Sequence, residues 1–145
     1  MTSEEIAILA LGSFWEPEDF FARLHGVVLT DVGYTGGTSG HPTFHDISDH
    51  CEAIRITFDP HIISYQEILK SFWKLHDPTA DYEPQYRSAI FYLDEHQHTV
   101  ARDSKADCQL HYDEPILTTI EPATKFYEAE EYHQHYLAKL RGELR

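Results

Sequence analysis

The chain has 145 residues, 41% of them hydrophobic and 13% aromatic, and a formal net charge of −14. That size and composition fit one folded domain over residues 1–145 with a substantial buried core, and the acidic balance argues against nucleic acid and anionic membrane surfaces as partners. No apolar run approaches the roughly 20 residues of a membrane span. The polar, acidic opening Met1-Thr2-Ser3-Glu4-Glu5 is no secretory signal, and the two cysteines, Cys51 and Cys108, make no disulfide framework, so a reducing cytoplasm is the expected location.

In chain order, the apolar run 6–11 predicts a buried strand, and 16–24 predicts a helix with Pro17 in its first turn, where a missing N–H costs little. A second strand over 27–34 ends in the turn-rich segment 35–42. Strict alternation over 51–58 predicts a third strand, with Ile54, Ile56, Phe58 and, at its end, Glu52 on one face. Cys51, Ala53, Arg55 and Thr57 point the other way. Ser64 and Glu67 form a capping box for a helix reaching about His76. A loop over 77–84 leads to a strand over 88–93, a helix over 95–112, a strand over 116–121 and a helix over 128–140. The order predicts an α+β fold: a ferredoxin-like βαββαβ core, its antiparallel or mixed sheet covered by helices, with an additional C-terminal strand and helix.

Ser13 is the most informative residue. Gly12-Ser13-Phe14-Trp15 joins the first strand to the first helix, a junction whose backbone N–H groups and helix dipole favour an anion. A thiol there becomes a reactive thiolate; a hydroxyl, with its far higher pKa, does not.

Several motifs taken together resemble the peptide methionine sulfoxide reductase A family over roughly residues 6–140. Gly12-Ser13-Phe14-Trp15 is similar to that family's Gly-Cys-Phe-Trp, and Val32-Gly33-Tyr34-Thr35-Gly36-Gly37 to its glycine turn. Asp49-His50-Cys51-Glu52, Gln85-Tyr86-Arg87-Ser88, Phe91-Tyr92 and the stretch from Phe126 to Gln134 complete the pattern in order. The resemblance implies chemistry in which a cysteine thiolate attacks the sulfur of S-epimeric methionine sulfoxide, free or in peptides. Methionine leaves, and the resulting sulfenic acid is reduced by a second cysteine, thioredoxin or another thiol, with no bound cofactor. It further implies that Phe14 and Trp15 clamp the methyl group, with Phe44 and His133 at the same substrate pocket. By the same resemblance Glu52 is the acid, Tyr86 donates to the sulfoxide oxygen, and Asp81 helps to hold substrate and water. Burial on the apolar face would raise the pKa of Glu52, as that role requires.

The departures from the family pattern are as informative. Ser13 stands at the nucleophile position, Phe44 where a second tyrosine donor is usual, and Glu16 where a glycine is usual. The loop 78–84 looks short, and no cysteine-bearing tail precedes Arg145. A serine oxygen would have to form an O–O bond to take the sulfoxide oxygen, so Ser13 cannot run the redox cycle. Two origins of Ser13 are open: a Cys→Ser replacement in an active enzyme, or a natural serine-bearing branch, which the other departures favour. The natural branch would be a pseudoenzyme that binds oxidised methionine, or a non-redox acid–base enzyme using Glu52, Tyr86 and Asp81. His41, His45 and His50 match no closed zinc pattern, so no metal site is expected. The helix face carrying Glu128, Glu131, His133 and His135 is expected to be mostly solvated.

Overall fold

A computed structural model describes residues 3–143; Met1 and Thr2 of the acidic start, and Leu144 and Arg145, lie outside it. Six strands form one mixed sheet: β1 (Glu5–Leu11), β2 (Val27–Thr35), β3 (Cys51–Phe58), β4 (Ser88–Tyr92), β5 (Thr119–Pro122) and β6 (Tyr127–Glu128), in the order β5-β4-β1-β3-β2-β6. β3 lies between β1 and β2 and runs antiparallel to both, and only the β4–β5 pair is parallel. Among the described residues four α-helices cover the sheet: α1 (Trp15–Ala22), α2 (Tyr65–Lys74), α3 (Glu95–Gln109) and α4 (Tyr136–Leu140).

Period-two alternation divides the sheet into two unequal faces. Leu9, Val32, Tyr34, Ile54, Ile56, Phe58 and Ile90 pack with Phe21 of α1 and with Ile68, Leu69 and Phe72 of α2 into the main core. Ile8, Ala10, Cys51, Ala53 and Phe91 form a smaller cluster on the other face, covered by Ala123 and Phe126. The alternation expected in β3 is therefore present, with Cys51 and Glu52 on opposite sides of the sheet. The capping box of α2 also forms: the Ser64 hydroxyl accepts from Glu67 N at 3.1 Å, and the Glu67 carboxylate accepts from Ser64 N at 3.2 Å.

The C-terminal third departs from expectation. The helix expected over 128–140 is instead β6, a 3₁₀ turn over Glu131–His133 and the short α4, separated by His135 in a left-handed conformation (φ 51°). Side chains of this segment tie it to β2: the Gln134 amide bonds both N and O of Val32 at 2.9 Å, and Glu130 accepts from the Tyr34 hydroxyl at 2.8 Å. These tertiary bonds hold the backbone in a shape that a continuous helix cannot match. The expected strand over 116–121 starts only at Thr119, because Ile116 N donates to the Gln109 side chain and Leu117 N to Pro78 O.

Candidate active site

β1 ends at Leu11, and Gly12 turns the chain with φ +90°, a conformation that L side chains resist. The turn leaves Ser13 exposed immediately before α1. A depression of about 170 Å³ beside it is bounded by Leu11, Ser13, Glu16 and Leu75. Glu16 thus shares this depression with Ser13.

Glu52 approaches this turn from β3. It is buried, at 1% exposure, and its two oxygens are shared: Oε1 accepts from Phe14 N at 3.1 Å and Oε2 from the Gln85 amide at 2.8 Å. Burial pushes the Glu52 pKa above the ordinary carboxylate value, against these two hydrogen bonds, which pull it down. The group is a buried acid that releases its proton reluctantly. Gln85 and Tyr86 belong to a 3₁₀ turn over Pro84–Tyr86 just before β4. Burial and then the Glu52 charge raise the Tyr86 pKa, so its hydroxyl keeps its proton.

The aromatic residues form one cluster. Phe14 is buried and tilted against Tyr34 and His133, with ring centroids 5.9 and 5.3 Å away. Trp15 is only half-buried; its indole N–H donates to Nδ1 of His133 at 3.0 Å, and its ring stacks on Tyr136 at 4.0 Å. Phe44 lies 4.6 Å from His133, centroid to centroid. Because Nδ1 accepts, the ring proton of His133 sits on Nε2, which is buried without a hydrogen-bond partner among the described residues. Burial lowers the His133 pKa, keeping the ring neutral and able to accept from Trp15.

Behind the cluster, Glu130 joins the two sides. It accepts from the Tyr34 hydroxyl and, at 3.1 Å, from Phe44 N. Burial opposes its ionisation, but these bonds and its own backbone hold its pKa below the usual range.

The structure brings Ser13, Phe14, Trp15 and Glu52 together and gathers Phe44 and His133 around the same rings. Asp81 is exposed in its loop and makes no side-chain hydrogen bond among the described residues. His133 does not belong to a solvated face, being 1% exposed, whereas Glu128 and Glu131 are exposed. Sequence reasoning assigned no role to Gln85, Tyr34 or Glu130. All three lie inside the motifs that carried the resemblance, and the β2–β3 register, which sets Tyr34 directly opposite Glu52, explains why Tyr34 belongs here. His50 of the histidine loop is buried and spends both ring nitrogens on Gly37 N and Ser39 O. Among the described residues no group of three or more His, Cys, Asp or Glu could hold a metal ion, and no helix is long and apolar enough to cross a membrane.

The helix-opening turn at Ser13, the buried Glu52 bonded to the next residue's N–H and the neighbouring aromatic cluster form the candidate site. The family model of peptide methionine sulfoxide reductase matches residues 5–144. The chain belongs to that family. It is 46% identical over 144 residues to peptide methionine sulfoxide reductase MsrA of Pseudomonas fluorescens, covering 94% of this chain and 69% of that protein. Against MsrA of Nocardia farcinica the identity is 44% over 147 residues, covering 96% and 86%. Among solved structures, reduced Mxr1 of Saccharomyces cerevisiae superposes with a TM-score of 0.89 at 28% identity, covering 98% of this chain and 88% of that one. Methionine sulfoxide reductase A of Corynebacterium diphtheriae superposes with a TM-score of 0.83 at 29% identity, covering 94% and 74%. Mxr1 in complex with Trx2 also matches, with a TM-score of 0.71 at 29% identity over 92% of this chain and 84% of that one.

Proposed function

We propose that this chain binds S-epimeric methionine sulfoxide but does not reduce it. The observation that carries the reading is Ser13 at the exposed turn before α1, next to the retained buried acid Glu52. Reduction requires the nucleophile to take oxygen from the sulfoxide sulfur and then to give it up as water when a thiol attacks. Cysteine sulfur does so by passing through a sulfenic acid; the serine hydroxyl has no such route. Neither remaining cysteine replaces it. Cys51 lies on the opposite face of β3 with its thiol pushed up to about 11 by burial, and Cys108 sits in α3.

Binding draws on different groups. Glu52, protonated, and Tyr86 serve the sulfoxide oxygen, Trp15 takes the methyl group against the Phe14–Phe44–His133 cluster, and Asp81 lines the approach. Phe44 has no hydroxyl to offer, so the oxygen has fewer donors here than in the family pattern. A thiol reductant such as thioredoxin finds no sulfenic acid on Ser13. In a Ser13→Cys variant the cycle balances again: oxygen passes from sulfoxide to cysteine sulfur, methionine leaves, and two thiols convert the sulfenic acid to thiol, disulfide and water.

Titration calorimetry with both sulfoxide epimers, with a dithiothreitol-coupled turnover assay alongside, tests the reading. Preference for the S-epimer, no turnover, and turnover restored by Ser13→Cys are expected. Turnover by the Ser13 chain that survives removal of Cys51 and Cys108 overturns the chemical argument. Equal or absent binding of the two epimers overturns the recognition argument.

A further inference from the structure

A second cavity, sharing no lining residue with the depression beside Ser13, opens between α2 and α3, with a volume of about 460 Å³, within the range of small-molecule sites. Its apolar wall comes from Trp73 of α2 together with Cys108 at the end of α3 and Tyr112 just beyond it. The polar atoms at its back are already satisfied. The Trp73 indole donates to Ser104 Oγ at 2.7 Å, joining the two helices, and His76 uses its two nitrogens on Phe72 O at 2.8 Å and Ser88 Oγ at 2.7 Å.

The rim is different. Lys70 and Lys74, one turn apart on α2, both line the cavity. In a chain of net charge −14, cations without an acidic partner stand out. Arg23, Arg55, Arg87, Lys139 and Arg141 are all held in ion pairs. Lys105 donates to Thr118 O, and Lys125 lies over the Tyr127 ring. Among the described residues Lys70, Lys74 and Arg102 have neither an ion pair nor a hydrogen bond, and of these three only the two lysines line the cavity. The only acid on the cavity wall is Asp107, on the α3 side.

We propose that this cavity is a binding site for a small amphipathic anion, a single carboxylate on an aromatic or aliphatic body. The body rests on Trp73, Cys108 and Tyr112, the carboxylate meets the two lysine ammoniums, and Asp107 keeps the anionic end on the α2 side. The site stands independently of sulfoxide binding at Ser13.

Cys108 supplies a reporter. It lines the cavity and is half-buried, whereas Cys51, the other cysteine, is fully buried. The probes are 2-naphthoate and its neutral isostere 2-naphthamide, and the readout is the rate of Cys108 alkylation by iodoacetamide at mildly alkaline pH. Saturable protection is expected, with the acid binding about fivefold tighter than the amide, as two partly exposed ion pairs allow. That preference should shrink in high salt. Lys70→Gln/Lys74→Gln should remove it while leaving the thermal midpoint unchanged, and Asp107→Asn should tighten the acid alone. Absence of saturable protection, equal protection by acid and amide, or an acid preference that persists in the double lysine variant overturns the proposal.

Discussion

The backbone N–H of Phe14 donates to Oε1 of Glu52 at 3.1 Å, tying the residue after Ser13 to a buried carboxyl from β3. The bond couples the placement of the Ser13 turn to the protonation of the acid.

The first prediction concerns the acid itself. In a Ser13→Cys background, Glu52→Gln keeps an oxygen acceptor for Phe14 N but no longer supplies a proton. Turnover is expected to fall about a hundredfold or more, the usual contribution of a positioned general acid. Comparing kcat for the two variants with dithiothreitol as reductant checks this; a change confined to KM would assign Glu52 to binding alone.

The second concerns pH and stability. The folded-state pKa of Glu52 is raised by burial, so the native state binds its proton more tightly than the unfolded chain does. That stability is fully present below the ordinary glutamate value and is lost as pH rises from there through the folded pKa. Glu18 acts in the same direction: burial raises its pKa against the hydrogen bond from His135 N at 2.7 Å. Chemical denaturation as a function of pH should therefore show a decline above about pH 4.5. The decline should be shallower in Glu52→Gln and shallower again with Glu18→Gln added.

A third prediction follows from the Trp15–His133 bond. His133→Ala leaves the indole N–H without its acceptor and opens space against Phe14 and Phe44, at a cost of roughly 2 kcal/mol. Acid is expected to mimic part of this effect. Burial lowers the His133 pKa, so the neutral ring's contribution is present above the ordinary histidine value and is lost as pH falls from that value through the folded pKa. Indole fluorescence followed between neutral and mildly acidic pH reports the loss, with His133→Ala as the pH-independent reference.

The fourth tests how the C-terminal segment is held. A Cβ on Gly33 would meet the Tyr127 carbonyl oxygen and come within 2.6 Å of the Phe126 ring. Gly33→Ala is expected to push β6 off β2 and to cost roughly 2–3 kcal/mol, the upper part of the overpacking range. Faster amide exchange at Glu128 and Ala129, with the β1–β3 pairing unaffected, is the distinguishing observation.

Much of this was legible locally. Alternation in 51–58 predicts β3 to the residue and separates Cys51 from Glu52, because side-chain direction in a strand depends only on parity. Ser64 and Glu67 announce the start of α2 because a capping box closes within one turn. The stretch 128–140 reads as helix in the sequence, yet folds as the end of β6, a 3₁₀ turn and α4. The bonds that decide it run from Gln134 and Glu130 to Val32 and Tyr34, about a hundred residues away, and no local pattern encodes them.

The site divides along the same line. The sequence alone raised the expectation that Ser13 stands at a nucleophile position, from a motif and from the different chemistry of oxygen and sulfur. It also determined the family resemblance and the parity that puts Glu52 on the apolar face. Only the tertiary structure decided that Gln85 and Phe14 N share the Glu52 carboxyl, that His133 is a buried acceptor for Trp15, and that Asp81 faces solvent. Hydrogen-bond partnership and burial depend on residues distant in the chain meeting at contact range, a property of the packed sheet and its coverings rather than of any one segment.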